Sequence, residues 1–150
     1  MALRDEFTAS LKEAMKAGDK LKVSTLRLIT SALKDRDIEA RGAGKTLTDD
    51  DILALLQKMV KQRQESLKIY QDAGRSDLAE QEQGEITIIQ SYLPQQMDES
   101  EVSSAIDSVI AEIGAASIKD MGKVMAALKE RFAGRMDFGA ASGVIKAKLS

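Results

Sequence analysis

The chain has 150 residues, a formal net charge of −2, and no Cys, His or Trp, which excludes disulfides, thiolate chemistry and cysteine-based zinc sites and removes the commonest general base. Hydrophobic residues make up 43%, charged residues 31% and aromatic residues only 3%, the balance of a soluble, helix-rich protein with two small cores rather than a sheet interior. Basic and acidic residues are nearly balanced on both sides of Pro94, so a nucleic-acid partner needs local clusters of Lys and Arg.

The first helix is predicted over Leu3 to Ala17, where Leu3, Phe7, Leu11, Ala14 and Met15 recur at helical spacing and Gly18-Asp19 breaks the pattern. Asp5 and Glu6 stand where a secretory or transit leader avoids acids, and no apolar run approaches the roughly 20 residues of a membrane span. A cytoplasmic protein without a membrane partner is the expectation. The second helix is placed from Lys20 to Ala40. Its stripe of Leu21, Thr25, Leu28, Ile29 and Ala32 is widened by Val23, Leu26 and Leu33, as suits a helix packed between neighbours. Arg41 to Lys45 reads as a flexible loop. Thr48 followed by Asp49, Asp50 and Asp51 then offers an N-cap and three acids in a first turn. The third helix buries Ile52, Leu56, Met59, Val60 and Leu67 and runs to about Ala73.

Gly74 ends that helix, Ser76 is placed to cap a fourth running to Tyr92, and Pro94 disfavours the helical region for Leu93. A domain boundary follows, with residues 1 to 93 in a helical N-terminal domain and 94 to 150 in a tail. In the tail, Asp98-Glu99-Ser100-Glu101 reads as a capping box for a helix burying Val102, Ile106, Val109, Ile110 and Ile113. Ser117 and Asp120 repeat that logic before Met121, Val124, Met125, Leu128 and Phe132. Asp137 caps a last helix with Phe138, Ala141, Ile145 and Leu149 on one face. The fold class is all-α, closing on a small three-helix tail.

Candidate chemistry is sparse. Arg63 or Arg75 meeting Glu82 or Glu85 across the last hairpin of the first domain is the structural reading of the charges there, with Asp77 helping to cap. The carboxylates at i, i+3 lack any accompanying phosphate loop. Gly42-Ala43-Gly44-Lys45-Thr46 lacks the first glycine and the preceding strand of a P-loop and reads as a loop. The methionines read as core filler, with no metal and no cofactor set beside them. Gly122 inside a helix needs a reason, either close helix packing or access of an RNA backbone. Lys119, Lys123, Lys129, Arg131, Arg135, Lys146 and Lys148 supply all the positive charge of the tail.

Val60 to Ser66, Gly74-Arg75-Ser76-Asp77-Leu78, Tyr92-Leu93-Pro94, Met121-Gly122-Lys123-Val124-Met125 and Gly134-Arg135-Met136-Asp137 together resemble the YqeY family. Its tail domain is similar to the C-terminal tail of GatB, a subunit of the tRNA-dependent amidotransferase. The resemblance implies a GatB/YqeY accessory protein that binds tRNA, is linked to translation, and carries a carbon-nitrogen ligase label with glutamine as amido-N-donor. It makes Lys123, Lys129, Arg131, Arg135 and Lys146 the RNA-binding candidates, with tRNA and aminoacylation or amidotransferase proteins as partners and no DNA. The Ser-Ser-Lys constellation that releases amide in that system is not visible in this chain, nor are its metal and nucleotide sites. No catalytic residue is therefore assigned and the question of an enzyme stays open. A helical protein-interaction adaptor without catalytic activity is the alternative.

Overall fold

The computed structural model describes residues 2 to 150, which form seven α-helices and a single 3-10 turn with no strand among them. The helices are α1 (Leu3–Ala17), α2 (Lys20–Gly42), α3 (Asp49–Asp72), α4 (Ser76–Gln90), α5 (Glu99–Ile113), α6 (Met121–Phe132) and α7 (Phe138–Leu149), with the 3-10 turn at Ile118–Asp120. They pack as two compact units, residues 1 to 93 and 94 to 150, each round its own core. No helix among the described residues is long and apolar enough to cross a membrane.

In the first unit, Gly18 adopts the left-handed conformation (φ 70°), which glycine reaches without steric cost, and so lets α1 turn straight into α2. Asp19 then caps α2 by accepting the amide of Lys22 at 3.1 Å. α2 runs on to Gly42, two residues past the predicted end, so Arg41 belongs to the helix and the loop is shorter than expected. Thr48 and Asp51 form a reciprocal capping box at the start of α3. Leu26, Ile29, Ile52, Leu56 and Ile89 are fully buried between the helices. The ring of Phe7 meets that of Tyr92 edge-on at 5.1 Å, fastening α1 to the turn after α4; such pairs contribute about 0.5 to 1.5 kcal/mol beyond area burial.

Three local readings change. Ser76 does not cap α4: Arg75 holds the cap position without a side-chain bond, and Ser76 is already helical. The left-handed Gly74 instead closes α3, letting the Arg75 amide reach back to the Tyr70 carbonyl at 2.9 Å, and α4 begins at Ser76. At its other end α4 stops at Gln90, and Tyr92 and Leu93 are held in a turn by bonds to Ile89 and Gln90. Met15 and Leu28, expected on buried faces, are 55% and 42% exposed.

In the second unit, α5, α6 and α7 enclose Ile106, Val109, Val124, Leu128, Met136 and Ile145. The Asp98 box is present, with its carboxylate accepting the Glu101 amide at 2.8 Å. The Asp137 carboxylate accepts two amides at the start of α7. The segment before α5 is bound to the α6–α7 turn, since the Met97 amide donates to the Arg135 carbonyl at 2.9 Å and Gln96 Nε2 to the Gly134 carbonyl at 2.6 Å. Gly122 is not a packing glycine, because a Cβ there would meet nothing within 4 Å. The close approach falls at Gly84, where a Cβ would lie 2.5 Å from Leu21 Cδ2 and lets α4 settle against α2.

Candidate functional site

The charges of the first unit converge on α3 and α4, the hairpin joined by Ala73-Gly74-Arg75. Arg63 Nε donates to Glu85 Oε2 at 3.1 Å, and its Nη1 donates to the Met59 carbonyl at 3.2 Å. Both side chains are largely buried, 15% and 8% exposed, and so exchange strong hydration for one another. Arg75 does not join them. It pairs with Asp77 on the surface at 3.3 Å, and that bond with the Leu78 amide holds the Asp77 carboxyl below the usual range. Arg75 is too close in sequence to α4 to reach down its length, so the local carboxylate two residues on takes it instead.

Glu82 lies one turn before Glu85 and keeps Oε2 buried without a hydrogen bond. Burial, and then the neighbouring Glu85 charge, push its carboxyl above the ordinary range, with Arg63 opposing them. Its neighbour is already committed to Arg63, so the pair does not present two free carboxylates to a substrate. No group of three metal-ligating side chains occurs among the described residues.

In the tail, the five RNA-binding candidates differ in their partners. Arg131 pairs with Glu112 of α5 at 2.6 Å. Arg135 donates to the Gln95 carbonyl at 3.0 Å and lies 5.9 Å from the Phe132 ring centre. Lys123, Lys129 and Lys146 are exposed and enter no ion pair among the described residues. Lys129 and Arg131 lie about 200° apart round α6, and the same spacing separates Lys146 from Lys148 on α7. Lys148 pairs with Asp107 of α5 at 2.6 Å. Acids of α5 thus take one cation from each neighbouring helix, which sequence spacing within α6 and α7 cannot reveal.

A cleft in the first unit was missed at the sequence level. Met15, Val23 and Leu28 form its apolar wall and Lys20 and Arg27 its basic rim, with Ser24, Gln81 and the paired Glu85 completing it. The signal was available in the apolar stripe of α2, which is wider than one core requires.

A two-unit, all-α protein with paired charges inside the last hairpin of its first unit and exposed lysines on its tail is the class these features define. The family model described as Yqey-like protein matches residues 4 to 149, and the chain belongs to that family. It is similar to proteins named Altered inheritance of mitochondria protein 41, mitochondrial. It is 33% identical over 99% of its length to the one from Clavispora lusitaniae, 85% of which is covered. It is 35% identical over 69% of its length to that of Lachancea thermotolerans, and 35% over 65% to that of Saccharomyces cerevisiae strain YJM789. The chain spans about half the length of these last two relatives, 55% and 49%.

The expectation of a cytoplasmic protein does not stand, since these relatives are named as mitochondrial. The acids it rested on, Asp5 and Glu6, sit in the first turn of α1, where the helix dipole favours them. With Phe7 beside them buried in the core, they report a folded helix and carry no information on compartment.

Proposed function

We propose that the protein is a tRNA-contacting accessory module linked to tRNA-dependent amidotransfer, with no catalytic residue of its own assigned. The observation that carries this reading is the set of exposed lysines free of ion pairs in the tail, Lys123, Lys129 and Lys146, on a domain whose sequence resembles the GatB tail. Exposed lysines suit phosphate contact, which positions a nucleic acid without reading its bases. Arg131 and Arg135 belong to the reading only as structural members of the tail. Aminoacylation or amidotransferase proteins are the protein partners it calls for.

The test is a gel-shift titration of the full chain with mixed tRNA across a salt series. Wild-type affinity falls steeply with salt, and replacing Lys123, Lys129 and Lys146 together by Ala weakens binding to all tRNAs alike and flattens that dependence. Absence of any salt-sensitive shift at low ionic strength overturns the reading. The second reading, an adaptor for protein partners, is favoured by the open apolar wall of Met15, Val23 and Leu28.

A further inference from the structure

A second cleft of about 430 Å³ lies in the first unit, between the C-terminal half of α2, the loop before α3, and the first turns of α3. Three cations from these three elements line it: Arg36 from α2, Lys45 from the loop and Lys58 from α3. None of the three enters an ion pair among the described residues. The acid on its wall, Asp51, is engaged, accepting the Thr48 amide at 2.9 Å and the Thr48 hydroxyl at 3.0 Å. Asp35 and Glu39 line an adjoining cleft that shares Arg36 and Lys58, whereas Lys45 lines this cleft and not that one.

We propose that this cleft binds a phosphate group, borne by a free nucleotide-like molecule or by an RNA chain. Three converging cations around a single committed acid favour an anion of more than one charge, and the Arg36 fork and the Thr46 hydroxyl supply directed donors beside the two point charges. Leu47, Ala54 and Leu55 give the same cleft an apolar wall against which a sugar or base packs. Its volume falls within the roughly 300 to 1,000 Å³ of small-molecule sites. The chemistry differs from that of a P-loop: side chains rather than a backbone cradle carry the charge, and no strand precedes the loop among the described residues. The inference stands apart from the tail lysines and does not require them.

The test is a two-dimensional amide NMR titration of the full chain with sodium pyrophosphate at low ionic strength. Saturable shifts confined to residues 45 to 47 and 54 to 58 are expected. The Arg36→Ala, Lys58→Ala double variant should bind at least tenfold more weakly while melting at the wild-type temperature, and Arg36→Lys should keep part of the affinity. The Lys123, Lys129 and Lys146 triple variant should respond to pyrophosphate as wild type does, which separates this site from tRNA binding by the tail. A tRNA arm distinguishes the sources: broadening of the same resonances, lost in the double variant, identifies RNA. A pyrophosphate response without a tRNA response identifies a free phosphate-bearing ligand. No saturable shift at millimolar pyrophosphate, or shifts unchanged in the double variant, overturns the proposal.

Discussion

Arg63 and Glu85 meet across α3 and α4 with Nε 3.1 Å from Oε2, and both are sheltered from water by the helices they join. The geometry fixes the register of the hairpin on which the rest of the first core is packed. Removing one partner leaves the other charge buried and uncompensated, a cost of roughly 3 to 5 kcal/mol. Arg63→Ala and Glu85→Ala should each lower the urea midpoint strongly. Arg75→Ala, which breaks a surface pair with Asp77, should cost less than about 1 kcal/mol. A double-mutant cycle on Arg63 and Glu85 that returned no coupling would refute the assignment.

Glu82 gives the first unit a pH dependence of predictable sign. Its folded carboxyl lies above the ordinary range through burial and the Glu85 charge, so the fold favours the protonated form. The stability this group contributes is fully present below its unfolded pKa and lost as pH rises through the folded one. Glu82→Gln removes that loss. The variant should be more stable than wild type at neutral pH, and the difference should shrink on acidification. Equal stability of the two proteins from pH 4 to 8, followed by chemical denaturation, would show that Glu82 ionises freely.

Two glycines in helices should respond in opposite directions to alanine. At Gly122 the new methyl enters open space, so the substitution gains helix propensity and should stabilise by about 0.5 to 1 kcal/mol. At Gly84 the Cβ lies 2.5 Å from Leu21 Cδ2, and overpacking costs of about 1 to 3 kcal/mol exceed the propensity gain. Leu21→Ala should rescue part of the Gly84→Ala loss. Thermal melts of the two single variants and the double variant check all three statements.

These residues also mark how far a linear reading reaches. The Asp98–Glu101 box and the Asp137 cap were legible because both partners lie within three residues of each other and the chemistry is local. The all-α class was legible because apolar spacing repeats in every helix. The role of Gly84 was hidden because its reason, Leu21, lies on another helix 63 positions away. The sequence left Arg63 or Arg75 to meet Glu82 or Glu85, and only packing selects Arg63 with Glu85 while Arg75 takes the local Asp77. The partners of two tail cations were hidden for a related reason: Glu112 and Asp107 sit on α5, and only packing brings them to Arg131 and Lys148.

The chain divides at Pro94 into two compact units. Residues 94 to 150 contain three helices, two of them with side-chain N-caps, and a core of Ile106, Val109, Val124, Leu128, Met136 and Ile145 that draws on no residue of the first unit. Its entry segment is fastened within the same unit, through Met97 to the Arg135 carbonyl and Gln96 to that of Gly134. A unit with its own core and its own end contacts should fold alone, although a chain this short buries proportionally less surface and has only a narrow margin. Expressed by itself, it should be helical by circular dichroism and melt in one cooperative transition below the temperature of the full chain. Arg135→Ala removes the side-chain bond to Gln95 and the contact with Phe132, and should destabilise the isolated unit by about 1 kcal/mol. A fragment that is disordered under conditions where the full chain is folded would show that the first unit supplies stability the tail lacks.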